Sequence, residues 1–239
     1  MNNLVWRPIK SFLYRSSELA YRVFPKKATL TFYCYLTYIL RAVTWRLACR
    51  YYGQAMTEHR GDAPEFVMSQ INPNDTVIDV GCAEGNLTRL IAKKAGGRVV
   101  AIDIDKGYLD RIDKSEKGLE KAVFINGDII DLKFNETFDV AVLVHTIEHM
   151  DNAGAILKKI SEIARKIVVE TPDQESDWLS NTLIGLGIEE RGDDKHVKLY
   201  NGTSLKEELE HNGWADVVIS KGYGAVRAVA ISKRFRQGI

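Results

Sequence analysis

The chain has 239 residues, enough for one sizeable domain with an appendage or for two small ones. An apolar fraction of 45% with 27% charged residues excludes intrinsic disorder, a collagen-like repeat and a disulfide scaffold. The net charge of +1 hides an asymmetry, because residues 1–60 hold ten Lys and Arg against only Glu18 and Glu58. The remainder carries 23 basic and 30 acidic residues, and 12 of the 22 aromatic residues lie before position 61. Two parts with different surroundings are implied: a basic, aromatic helical extension over 1–60 and a second domain over 61–239. Three cysteines (Cys34, Cys49, Cys82) show no CxxC spacing and are odd in number. That usage points to free thiols in a reducing compartment.

In the front part, Leu4, Val5, Ile9, Phe12, Leu13, Leu19, Val23 and Phe24 alternate with basic residues. This spacing predicts an interrupted amphipathic helix that stops at Pro25. From Ala28 to Leu40 there are 13 residues without a charge, and Arg41, Arg46 and Arg50 follow. A bilayer span needs roughly 18 to 20 apolar residues, so the run is short for a transmembrane helix. It also lacks the early start and small-residue cleavage site of a signal peptide. Three readings stay open for 1–60. The helices cap the main domain with their aromatics buried, or they lie on a membrane with Lys and Arg on anionic lipid, or they stack on single-stranded nucleic acid. The expected location is cytoplasmic, either free or peripheral to the inner face of a membrane.

Past Asp75 the pattern changes. Thr76-Val77-Ile78-Asp79-Val80 reads as a strand and enters Gly81-Cys82-Ala83-Glu84-Gly85-Asn86. A helical pattern over Leu87, Leu90 and Ile91 ends near Gly96-Gly97, and Arg98–Asp103 reads as the next strand. This is the βαβ unit of a nucleotide-binding α/β sheet. Gly81 and Gly85 would let the backbone approach a ligand closely. Asp103, 22 residues after Gly81, stands where a carboxylate can accept ribose hydroxyls. A dinucleotide fingerprint would need glycine at 81, 83 and 86, and positions 83 and 86 are Ala and Asn. No GxxxxGK[ST] occurs. A nucleoside ligand without phosphates fits the turn better.

The pattern Asp79-x-Gly81-x-Ala83-x-Gly85 with Asp103 resembles motifs I and II of the class I S-adenosylmethionine-dependent methyltransferases, with Ala83 standing at the middle glycine position. Val123–Ile129 is similar to the third motif, a strand ending in an acidic residue. Phe138-Asp139 followed by an apolar strand and Glu148-His149 resembles the small-molecule type, including the ubiquinone-pathway O-methyltransferases. The resemblance covers about residues 62–233. It implies an α/β, Rossmann-like, seven-stranded, mostly parallel sheet with a C-terminal antiparallel hairpin, in the order 3-2-1-4-5-7-6. The cofactor it implies is S-adenosyl-L-methionine, held by Asp79, Gly81, Cys82, Ala83, Gly85, Asp103, Ile104, Asp128, Ile129, Val144 and His145. Asp128 would meet the adenine amino group.

The rest of the chain agrees. Ala155–Ala164 has a helical pattern, Lys166–Thr171 a strand pattern ending at Pro172, and Leu205–His211 a helical pattern closed by Asn212-Gly213. Ala215–Ser220 and Ala225–Ser232 read as a hairpin across Gly222-Tyr223-Gly224. Methyl transfer to a hydroxyl profits from a base, and His145, Glu148 and His149 are the candidate catalytic residues. They are also similar to the E-x-x-E-H divalent-ion ligands of some O-methyltransferases, with His145 in place of the first Glu. The competing reading is that Glu148-His149 caps and packs the loop. Residues 172–202 form a long connection with the character of a substrate lid or a solvated excursion.

The function implied is methyl transfer to a small-molecule, glycan or lipid-linked acceptor, at oxygen. An RNA methyltransferase and a non-catalytic S-adenosylmethionine-binding protein are the alternatives. The net acidic core would repel phosphates, which disfavours a nucleic-acid partner.

Overall fold

A computed structural model describes residues 3–52, 63–113, 118–119, 121–173, 197–222 and 224–236. The lid segment singled out above falls largely outside the described residues. Those described fall into two compact units, with the first two helices in one and the sheet in the other.

The first unit is built from α1 (Asn3–Val23) and α2 (Lys26–Tyr52). Both run without interruption, and Pro25 breaks the chain between them, where a missing N–H is tolerated. Thr29 and Cys34 are buried. Phe12, Leu13, Leu19, Val23, Phe24 and Phe32 are exposed, as are the charged ends of Arg15, Arg22, Lys26 and Lys27. No described helix is long and apolar enough to cross a membrane.

The second unit begins with α3 (Ala63–Ser69). Then follow β1 (Val77–Val80), α4 (Asn86–Lys94), β2 (Val99–Asp103), α5 (Lys106–Leu109) and β3 (Ala122–Asn126). After β4 (Phe138–Val144) and a single 3-10 turn over Ile147–His149, α6 (Ala153–Ile163) leads directly into β5 (Ala164–Pro172). The chain closes with α7 (Gly202–His211), β6 (Trp214–Lys221) and β7 (Ala225–Ser232). The seven strands form one sheet in the order β3-β2-β1-β4-β5-β7-β6. Only the β5–β7 and β7–β6 pairs are antiparallel. The expected topology is therefore the observed one.

Both faces of the central strands are covered, which is why β1 and β2 are apolar without alternation. One face packs Ile78, Val100, Leu143, Ile167 and Val169 on α6 and α7, with Trp214 fully buried and its indole N–H on Leu157 O at 3.1 Å. The other packs Val77, Val99, Val142 and Val168 against α3 and α4. In-register partners share a face, so Asp79 stands beside Val142 on this second face. Val144, Glu170 and Arg227 form one row across it, nearer the carboxyl edge of the parallel strands. α7 starts at Gly202, three residues before the predicted Leu205, because Asn201 and Ser204 make a reciprocal capping box.

One strand differs from expectation. β3 ends at Asn126 and does not run to Ile129. Gly127 leaves the strand with φ +159°, and the Asp128 carboxylate then takes the Ile130 N–H at 2.9 Å, closing a local turn.

Candidate functional site

The glycine turn after β1 is tied to the neighbouring strand, with the N–H groups of Gly81 and Cys82 both donating to Ile102 O. Gly81 has φ +79°, and a Cβ there would lie 2.3 Å from Thr146 Cγ2. At Gly85, φ +73°, a Cβ would come within 3.2 Å of the Phe124 ring. Internal contacts and positive φ thus disfavour a side chain at both positions independently of any ligand. What a side chain at these positions would strike is the protein's own Thr146 and Phe124.

Asp103 ends β2 and is buried. Its Oδ2 accepts the Ala83 N–H and its Oδ1 the Asp105 N–H, each at 2.8 Å. A carboxylate offers about four lone-pair positions, so two remain for hydroxyl donors. Ala83 itself sits at φ +46°, a conformation that costs a non-glycine residue about 1 kcal/mol. Asp79 is buried and accepts the Thr88 hydroxyl of α4 at 2.6 Å. Burial raises its pKa to about 6, the Thr88 bond opposes the rise, and the Asp103 charge adds to it. Two carboxylates in mutual repulsion favour a cationic ligand.

The other expected binding residues are placed less uniformly. Asp128 is half-buried, and its carboxylate is engaged with the Ile130 N–H. Ile104 is 73% exposed, and the Asn126 amide pins its carbonyl and that of Asp103. Ile129 lies in the core, so only its backbone can face a ligand. The buried Cys82 packs with Ala101, Leu109 and Ile112, and burial pushes its thiol well above the usual range. It serves as a small packing residue in the turn. Val144 is half-buried against the α3 face.

Past β4 the chain turns at His145, whose φ is +50° and whose N–H donates to Glu170 O at 2.8 Å. This turn places the imidazole between two buried carboxylates, with Nδ1 3.5 Å from Glu148 and Nε2 3.5 Å from Glu170. Glu148 also accepts the Thr171 hydroxyl at 3.0 Å. Glu170 accepts Arg227 Nε at 2.6 Å, and the Arg227 guanidinium lies 4.7 Å from the centre of the Phe66 ring of α3. Burial alone would lower the His145 pKa, but hydrogen bonds and charge from Glu148 and Glu170 raise it to about 9. A value above neutral favours the protonated ring, and its carboxylate neighbours weigh against the expected role as a base.

His149 is exposed, with its backbone N–H on Thr146 O. Among the described residues no group of three or more His, Cys, Asp or Glu is placed to hold a metal ion. Glu170, Arg227, Thr171 and Phe66 were not among the expected site residues. The available signal was a single charge inside an apolar strand, in Ile167-Val168-Val169-Glu170 and Ala225-Val226-Arg227-Ala228. Such residues are rarely buried without a partner.

The raised His145 pKa carries a prediction with a definite sign. The folded value of about 9 lies above the unfolded value of about 6.5. The stabilisation is fully present below about pH 6.5 and is lost as pH rises through about 9. A third of the ring meets solvent, so the contribution is about 2 kcal/mol and not the full value of the shift. Urea unfolding should show wild type losing about 2 kcal/mol more than His145→Gln over that range. Parallel curves for the two proteins would refute the assignment.

Residues 53–219 match a methyltransferase domain family. The chain is 28% identical over 199 residues to a demethylmenaquinone methyltransferase of Lactobacillus johnsonii, covering 72% of this chain and 81% of that one. It is 28% identical over 103 residues to a 2-phytyl-1,4-naphthoquinone methyltransferase of Synechococcus elongatus, covering 41% of this chain and 44% of the relative. Among solved structures, the magnesium protoporphyrin IX methyltransferase of Synechocystis with bound S-adenosylhomocysteine superposes with a TM-score of 0.57 at 16% identity, covering 72% of this chain and 82% of that one. Asp103, with two lone pairs left at the sheet edge, and the acidic Asp79 beside it suit a donor that carries ribose hydroxyls and a sulfonium charge. The chain belongs to the methyltransferase domain family and is an S-adenosylmethionine-dependent methyltransferase.

Proposed function

We propose that this enzyme methylates a small, lipid-linked, quinone-like acceptor at oxygen, working at an anionic membrane surface. One observation carries the reading. The rim that would hold the donor is acidic, whereas the other unit presents exposed Phe, Leu and Val beside Arg and Lys. Such a helical surface suits the headgroup region, with apolar side chains in the acyl boundary and cations on acidic lipid. The names of the two relatives support the acceptor class, since one acts on a naphthoquinone bearing a phytyl chain.

In this reading Asp103 takes the ribose hydroxyls, Asp128 and Ile104 border the adenine, and Asp79 favours the donor's positive charge. The Gly81–Gly85 turn and Val144 line the floor. When bound, S-adenosylmethionine supplies an electrophilic methyl carbon. The protein's own groups orient the acceptor toward it, and much of the acceleration comes from that positioning.

The test uses the full chain and radiolabelled S-adenosylmethionine. A naphthoquinol in phosphatidylglycerol vesicles should take up label faster than in phosphatidylcholine vesicles. Each basic residue contributes about 1 kcal/mol of attraction, so reversing Arg15, Arg22, Lys26 and Lys27 together should slow the vesicle reaction at least about tenfold. A water-soluble naphthoquinol should be unaffected. Label appearing in RNA, or equal rates on the two lipids, would overturn the proposal.

A further inference from the structure

The row formed by Glu170 and Arg227 does more than fill the α3 face. We infer that Arg227 and Glu170 are positioning residues that, with Glu148, fix His145 as a cation at the sheet edge, so that the acceptor is an acidic oxygen (a phenol, enol or carboxylic acid) that arrives already ionised. The inference rests on the methyl-transfer reading above and names the chemical class of its acceptor.

The geometry argues it in three steps. First, both ring nitrogens of His145 face buried carboxylates, Glu148 from the 3-10 turn and Glu170 from β5, at 3.5 Å each. The imidazole has no free nitrogen to act as a base on an alkyl hydroxyl. Second, two buried glutamates alone would repel an anion approaching the edge. Arg227 of β7, 2.6 Å from Glu170, and His145, 3.5 Å from both glutamates, offset that negative charge. Third, the arrangement is locked. Arg227 is covered by the Phe66 ring, and a Cβ at Gly222 would come 2.3 Å from its guanidinium carbon. Thr171 holds Glu148 from the other side.

Transfer to an ionised oxygen then balances without a base. A lone pair of that oxygen forms the new oxygen–carbon bond while the carbon–sulfur bond breaks. The bonding pair goes to sulfur, and no proton is left to place. An aliphatic alcohol would require a proton acceptor that His145 does not provide.

The experiment has two arms, both on the full chain. In the first, the His145 ring protons are titrated by NMR. Wild type and Arg227→Lys should titrate near 9, and Glu170→Gln should fall by more than one pH unit. Titration of wild-type His145 below about 7 would overturn the inference, because the ring would then be free to accept a proton. In the second, para-nitrophenol is added to protein saturated with S-adenosylhomocysteine, and its ionised form is followed by absorbance. Wild type should bind the anion, Arg227→Gln should weaken it about tenfold, and Arg227→Lys should restore it. S-adenosylhomocysteine affinity in the variants reports that they are folded. Binding of the neutral phenol, or binding indifferent to residue 227, would overturn the acceptor class while leaving the donor reading intact. Failure of wild type to bind S-adenosylhomocysteine would remove the donor reading and this inference with it.

Discussion

Asp103→Asn is expected to reduce S-adenosylhomocysteine affinity by at least about 100-fold, with a much smaller change in stability. Asp103 uses one lone pair on each oxygen to hold the Ala83 and Asp105 amides. The amide replacement keeps one acceptor oxygen and turns the other into an NH2 group facing an N–H donor. One loop amide is lost, and a neutral group replaces the ionised acceptor of the ribose hydroxyls. Hydrogen bonds to a charged group contribute roughly 1.5 to 3 kcal/mol each, so two of them correspond to about 3 kcal/mol or more. That is a factor of about 100 or more in affinity. Calorimetry with S-adenosylhomocysteine measures it directly, and a urea transition checks the fold. An affinity within about threefold of wild type would show that the ribose does not sit on Asp103.

Gly81→Ala is expected to destabilise the domain by about 3 kcal/mol, without any ligand present. Two causes act together. A backbone at φ +79° is strained for alanine by roughly 1 to 2 kcal/mol, and the new methyl would lie 2.3 Å from Thr146 Cγ2 and 2.4 Å from its Oγ1. Thr146 cannot turn away freely, because its hydroxyl donates to Val144 O at 3.0 Å. Relief must come from shifting the segment that carries His145 and Glu148. Thr146→Ala in the same chain should recover about 1 kcal/mol, since only a Cβ at 2.9 Å then remains. Were this glycine needed only for close approach of a ligand, the variant would unfold like wild type and the second substitution would recover nothing.

The legibility of this molecule in its sequence varied with the range of the interaction. β1, the glycine turn, α4 and β2 were readable because each signal is local: β-branched runs, residues for tight turns and an acidic residue at fixed spacing. β3 was overextended because the apolar pattern continues past Gly127, where the backbone leaves the strand and the Asp128 carboxylate takes over a main-chain N–H. In the first part the interrupted pattern over 3–24 hid a continuous α1, since apolar periodicity reports the face that helices bury and many of these residues are exposed.

The candidate site divides in the same way. Asp79, Gly81, Gly85 and Asp103 could be chosen from spacing, although the internal contacts around each glycine could not. The partner of Gly81 is Thr146, 65 positions away along the chain. His145 could be chosen from its place after the strand, but the direction of its pKa could not, because pKa is set by neighbours and not by residue type.

What the chain's own residue order determined was the α/β class, the strand order through its family resemblance, the donor's chemical type and the contrast between a basic front and an acidic core. Only the tertiary structure brought Glu148, Glu170 and Arg227 around one imidazole, from a turn and two strands as far as 79 residues apart in the chain. The physical reason is the strand register. Parallel pairing sets Val144 beside Glu170, and antiparallel pairing sets Glu170 beside Arg227, so charges invisible to any local pattern meet in one buried row.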